Sequence, residues 1–180
     1  IHVTFAPMTD LVRDARWGRC METTGEDPYL NSKMAQAMVR GFQGDLGKDN
    51  IAACVKHFAA YGACDGGRDY DAVEMGDHTL REYYLPVYKA AIDAGVELLM
   101  TSFNTLNGIP SSANKYLVND ILRKEWGFDG IVISDFNAFY EMISHGKTEG
   151  VFQLESGGMR NFLSAMRPRS FEDIIAGISL

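Results

Sequence analysis

Apolar residues recur along this chain in short unbroken runs, each followed by a polar segment and then by apolar positions three or four residues apart. The runs lie within residues 2–7, 51–55, 96–102 and 130–134. The run at 130–134, short and rich in β-branched residues, reads as a strand buried on both faces of a parallel sheet, and the other three read as strands beside it. The spaced positions read as helices. Asp27-Pro28 offers an N-cap acceptor followed by proline at the first helical position, and Leu30, Met34, Ala37, Met38 and Phe42 follow on one face. A second helix runs from about Asp77 to Ala94, interrupted by Pro86 and closed by Gly95. A third is capped by Asn114, turns Leu117, Ile121 and Leu122 inward and stops at Gly127; Asn107-Gly108 before it marks a tight turn. A further helix is expected over residues 137–144.

Strand and helix thus alternate four times, which implies a parallel sheet with right-handed crossovers. An open doubly wound sheet and part of a (β/α)8 barrel both satisfy that order. Polar residues stand just after the strands in each unit, as the catalytic rim of a barrel requires, and no Gly-x-Gly-x-x-Gly turn supports a dinucleotide fold. The expected class is α/β: a partial (β/α)8 TIM-type barrel of about four strand–helix units with a short, mainly helical tail.

Composition narrows the function classes. With 46% apolar and 23% charged residues the 180-residue chain has a globular balance, and no apolar stretch is long enough to span a bilayer. A net charge of -7 argues against broad phosphate-backbone binding, so nucleic acid is not the expected partner. Cys20, Cys54 and Cys64 are odd in number and lack Cys-x-x-Cys spacing, which points to free thiols. His57 near Cys54 and Cys64 fits no common metal site, and neither metal nor cofactor is expected. The chain opens inside a strand-like run with no initiator Met, and is expected to be a piece of something longer.

The candidate chemistry lies where the strands end. Asp135 follows the run ending at Ser134, where α/β folds place their reactive groups; capping the next helix is an equally good reading of that residue alone. The polar segment from Asp10 to Asp27 is a long loop carrying Arg13, Arg16, Trp17 and Arg19, and loops of that length in compact domains are usually functional. Lys56 and His57 follow the second run, and Arg68 sits in a Gly-rich loop. Taken singly, Lys56-His57 reads as a satisfied polar edge, Arg68 as solvated, and Arg19 as a surface partner of Glu22 or Glu26 contributing about 0–1 kcal/mol.

Taken together these segments resemble the family-three glycoside hydrolases, in particular bacterial β-glucosidases. The matching stretches are Ala6-Pro7-Met8 through Arg16-Trp17-Gly18-Arg19, Gly25-Glu26-Asp27-Pro28, Lys56-His57-Phe58-Ala59-Ala60-Tyr61-Gly62, Leu106-Asn107-Gly108 and Gly130 through Asp135, in the family's order over residues 1–146. The resemblance implies that Asp135 is the nucleophile of a retaining glycosidase acting on a β-glucoside or oligosaccharide. It further implies that Arg19, Lys56 and His57, and also Arg68, hydrogen-bond the hydroxyls of the innermost sugar, and that Phe103 packs beside the nucleophile. Two features depart from the family pattern. The family's Asp-Gly-Pro wall segment precedes the first strand and is absent. Ala59-Ala60-Tyr61-Gly62 stands where the N-acetylglucosaminidase branch carries its acid/base His, so that branch is disfavoured. In the β-glucosidase branch the acid/base is a Glu on a second domain, and the chain alone is expected to be inactive.

From about residue 147 the wording changes. The stretch from Thr148 to Ser156 and on through Phe171 to Ile175, about the last 34 residues, resembles a segment of the catalytic subunit of bacterial DNA polymerase III, without any of that enzyme's metal-binding aspartates. The expected organisation is therefore 1–146, a partial glycoside hydrolase barrel, and 147–180, an unrelated tail with a strand-like Val151 to Leu154, a helix carrying Met159, Phe162, Leu163 and Met166, and a second helix start at Ser170. A fragment of a replicative polymerase and a catalytically dead sugar-binding module are the competing functional readings.

Overall fold

The computed structural model of the chain describes residues 2–136 and 157–166. The expected helix over 137–144, the strand-like Val151 to Leu154 and the helix start at Ser170 lie outside the described residues.

Four parallel strands form the main sheet: β1 (Val3–Thr4), β2 (Ala52–Phe58), β3 (Leu98–Thr101) and β6 (Ile131–Ile133), hydrogen-bonded in the order β1-β2-β3-β6. Each strand pairs with the one before it. A doubly wound sheet reverses direction across its first strand, whereas a barrel adds strands in one sense, so this order is that of an arc of a (β/α)8 barrel. Between β3 and β6, β4 (Thr105–Leu106) and β5 (Ile109–Pro110) form a small antiparallel hairpin. Its turn residues Asn107 and Gly108 both have positive φ, 51° and 77°, which Asn and Gly tolerate best.

The crossovers are helical. α1 (Pro28–Gln43) is capped by Asp27, whose carboxylate accepts from the Leu30 N–H at 2.6 Å. The second crossover is one continuous helical stretch: α2 (Asp77–Thr79), a π-wound turn at Leu80–Tyr84, and α3 (Leu85–Asp93), with Pro86 in the first turn of α3. α1 and α3 pack against each other outside the sheet. The third crossover, Tyr116–Glu125, is π-wound; Asn114 accepts from the Leu117 N–H at 3.2 Å, and Leu117, Ile121 and Leu122 are fully buried. Those side chains join Val39, Val55, Phe58, Tyr61, Tyr88 and Leu99 in one core, each large aliphatic contributing about 1.5–3 kcal/mol by leaving water.

Three expectations need correction. The buried face of α1 is not Leu30 and Met34, which are 51% and 43% exposed, but Asn31, Ala35, Val39 and Gln43. Two polar residues face inward there because each satisfies buried backbone. Asn31 donates to the Thr9 carbonyl at 3.2 Å, and Gln43 accepts from the N–H groups of Ala53 and Glu97 and donates to the Gly95 carbonyl. Secondly, β2 does not stop at Val55 but runs on to Phe58, so Lys56 and His57 belong to the strand itself. Thirdly, β6 is not buried on both faces: Ile131 is 61% exposed, since among the described residues this strand has β3 on one side only. The helix α4 (Gly157–Met166) buries Leu163 completely, while Phe162 stays partly exposed.

Candidate active site

The C-terminal ends of β1, β2 and β6 converge on His57. β2 is drawn against the chain leaving β1: Lys56 N–H donates to the Pro7 carbonyl at 3.1 Å and Thr9 N–H to the Lys56 carbonyl at 2.8 Å. Beyond Val55 the pairing of β2 with β3 is shifted, with Phe58 opposite Thr101. These contacts bring Asp10 beneath the His57 ring. The Asp10 side chain is 0% exposed; its Oδ2 lies 2.8 Å from His57 Nδ1 and accepts from the His57 backbone N–H at 3.2 Å. The Tyr88 hydroxyl, on α3, lies 3.1 Å from Asp10 Oδ1 and 2.5 Å from the His57 carbonyl, sharing one proton between two acceptors. Burial, with the Asp10 carboxylate beside it, pushes the Tyr88 phenol well above its ordinary range, so it remains a donor.

The other ring nitrogen faces the opening of the site. Nε2 lies 3.3 Å from Asp135 Oδ2 and 3.3 Å from Arg19 Nη1. Asp135 follows β6 with a side chain 14% exposed, and its Oδ1 accepts from the Phe136 N–H at 2.7 Å. Arg19 comes from the loop after β1, just before a 3-10 turn at Cys20–Glu22, and its guanidinium is held by Glu22 through two bonds of 2.7 Å. That paired geometry is the strong form of an Arg–carboxylate contact. Arg19 in turn, with Lys56 nearby, lowers the Glu22 carboxyl. Lys56 is partly buried and makes no ion pair among the described residues, leaving its ammonium donors available.

Aromatic rings support this cluster. Tyr61 is fully buried, meets His57 edge to face at 5.2 Å and Trp17 at 5.1 Å, and lies under Arg19 at 5.7 Å. Its hydroxyl donates to Asp69 Oδ1, which also accepts from Trp17 Nε1 at 3.1 Å. Burial and the neighbouring Asp69 raise the Tyr61 phenol. Phe103 packs on Tyr61 at 6.1 Å and on the exposed Tyr70 at 4.8 Å.

The structure therefore brings Arg19, His57 and Asp135 together, places Lys56 beside them in sequence, and leaves Arg68 outside the cluster. The Arg68 guanidinium is 68% exposed and binds Asp65 at 3.3 Å and Asp71 at 2.7 Å; among the described residues it makes no contact with the other candidates. Sequence reasoning missed Asp10, Tyr88 and Asp69. Their contacts span 47, 31 and 52 residues, separations that no local pattern encodes. Glu22 was recognised only as a surface partner, whereas it fixes the guanidinium that touches His57. Among the described residues no group of three or more His, Cys, Asp or Glu is placed to hold a metal ion.

Comparison with known proteins settles the family. Residues 1–158 match the Glycosyl hydrolase family 3 N terminal domain. The chain belongs to glycosyl hydrolase family 3. It is 47% identical over 148 residues to a periplasmic β-glucosidase of Salmonella typhimurium, covering 81% of this chain and 19% of that protein. A putative β-xylosidase of Formosa agariphila is 40% identical over 142 residues, covering 76% of this chain and 19% of the relative. Among solved structures, a β-glucosidase from Listeria innocua in complex with isofagomine superposes with a TM-score of 0.78 at 56% identity, covering 82% of this chain and 21% of that one. The chain thus spans about a fifth of the length of the relatives it matches.

Proposed function

We propose that this segment supplies the nucleophile and the innermost sugar subsite of an enzyme that hydrolyses terminal β-D-glucosidic, or related β-glycosidic, bonds with retention of configuration. The observation that carries the reading is the position of Asp135: at the C-terminal end of a barrel strand, 3.3 Å from Nε2 of the buried His57, the same nitrogen that Arg19 approaches. Supporting it, relatives bear the names β-glucosidase and β-xylosidase, and the Listeria innocua protein was solved in complex with glucose. An Asp135 oxygen attacks the anomeric carbon as the bond to the aglycone oxygen breaks, giving a glycosyl ester and an alcohol protonated by an acid outside this chain. Water then cleaves the ester, freeing Asp135 and a β-configured sugar. Arg19, Lys56 and His57 bind hydroxyls of the sugar, and these bonds tighten as the ring flattens toward an oxocarbenium ion. Arg68 belongs to the proposed subsite on the family resemblance alone, and would have to leave Asp65 and Asp71 to reach a sugar.

The test is stereochemical. With this segment grafted in place of the matching part of the Listeria innocua enzyme, proton NMR of the first product from an aryl β-glucoside should show the β-anomer. Initial release of the α-anomer would overturn the retaining mechanism.

We further propose that residues 147–180 are a separate unit derived from a polymerase-like sequence, incidental to glycosidase chemistry. The wording of Thr148 through Ser156 supports this, although the family match runs on to residue 158. DNA read through codon 146 from independent material tests it: an interrupted frame, or a family-typical continuation, would show the junction to be artificial. A single frame together with loss of folding on deleting the tail would make it part of one domain.

A further inference from the structure

We propose that Asp10 is a positioning residue for His57: it holds the imidazole with a proton on Nδ1, so that Nε2 is the nitrogen presented to Arg19, Asp135 and the incoming sugar hydroxyl. Only the purpose of that orientation rests on the glycosidase reading; the orientation itself stands on geometry. A carboxylate with no exposed surface must be met by donors or carry a large desolvation cost. Among the described residues, every hydrogen bond to the Asp10 carboxylate comes from His57 or from Tyr88, which is itself bonded to the His57 carbonyl. Asp10 is thus buried around one residue, 47 positions away in sequence.

The consequence is a division of labour between the ring nitrogens. An ionised carboxylate only accepts, so at 2.8 Å Nδ1 must carry a proton whether the ring is neutral or charged. Nε2 then holds the one variable position. In the neutral ring its lone pair accepts from Arg19; in the charged ring its N–H donates to Asp135, and the two neighbours at 3.3 Å cannot be served in the same state. A sugar hydroxyl, which both donates and accepts, can join Nε2 to either neighbour. Tyr61, packed edge to face with the imidazole at 5.2 Å, opposes a flip that would exchange the nitrogens. A purely structural Asp10 would need only its bond to the His57 backbone N–H and would be indifferent to the ring.

The experiment reads the ring directly on the 180-residue chain. Long-range proton–nitrogen spectra of 15N-histidine-labelled protein, with His57 assigned by its loss in His57→Gln, should show a single species protonated at Nδ1. Asp10→Asn, nearly the same shape, should lose that single state and give a mixture with the Nε2–H form, while the thermal melt stays cooperative. A neutral Nε2–H tautomer in the unaltered chain would overturn the proposal, as would Asp10→Asn with unmoved His57 ring signals. Should Asp10→Asn fail to fold, the spectrum of the unaltered chain decides alone. No sugar is needed, so failure of the glycosidase reading would leave this result standing, and the reverse.

Discussion

At Nε2 of His57 a guanidinium donor and a carboxylate acceptor approach from the same distance, and the chemistry proposed for the site turns on that crowding. In the grafted enzyme, His57→Ala removes the nitrogen that both groups approach, and Lys56→Ala removes a cation with no other partner among the described residues. Each is expected to raise KM and lower kcat for an aryl β-glucoside by about 10- to 1,000-fold in kcat/KM, the range of one or two lost charge-assisted hydrogen bonds. Unchanged kinetics in either variant would remove that residue from the subsite. The thiols make a separate prediction. Burial pushes Cys54 and Cys64 up to about 12, so at pH 8 alkylation should modify Cys20, the only partly exposed cysteine, long before the other two. Because both folded values lie above the unfolded value of about 8.5, their contribution to stability is complete below that pH and is lost as pH rises toward about 12. Melting temperature should therefore fall across that window, and less so in a Cys54→Ala, Cys64→Ala variant. At this scale the sequence displayed Asp135, His57 and Arg19, because each sits at a strand end or in a recognisable run. It concealed Asp10, which reads as one more loop carboxylate until the fold closes over it.

Elements were legible where a local signal decides them. Asp27 and Asn114 cap the helices they were expected to cap, and Asn107-Gly108 turns the hairpin, since each of these depends on neighbours within three residues. The inward face of α1 was misread because hydrophobic spacing cannot anticipate that Asn31 and Gln43 are required by backbone groups on other elements. This makes Gln43→Leu a sharp test. Similar in size and more apolar, it should nonetheless destabilise the chain by about 1–3 kcal/mol by orphaning the buried Ala53 N–H, measurable by urea denaturation. A neutral or stabilising result would mean that α1 is held by its apolar positions alone. Below the site, a Cβ at Gly62 would stand 2.3 Å from the Leu11 carbonyl oxygen, so Gly62→Ala must shift the loop that carries Asp10, at a cost of about 1–3 kcal/mol. The same melts would reveal it, and a wild-type melting temperature would contradict that packing.

For the whole molecule, parallel order and strand-end chemistry were readable from alternating patterns, and the direction of strand addition, β1-β2-β3-β6, fixed the barrel over the doubly wound alternative. Burial of β6 was not readable, because it depends on what lies beside the strand rather than on its own residues. An arc of four strands carries the proposed nucleophile and the proposed subsite, and the family resemblance puts the proton donor on another domain. The chain alone is accordingly expected to hydrolyse aryl β-glucosides at least about 100- to 10,000-fold more slowly than the grafted enzyme, the worth of an acid/base catalyst. Comparable rates from the purified chain would show that it carries its own donor. The central claim is that Asp135 forms the covalent bond to sugar, and trapping tests it most directly. Treating the grafted enzyme with an activated 2-deoxy-2-fluoro-β-glucoside and mapping its peptides by mass should place the sugar on Asp135 and leave Asp135→Asn unlabelled. Labelling of any other residue, or of the Asn variant, would contradict the account.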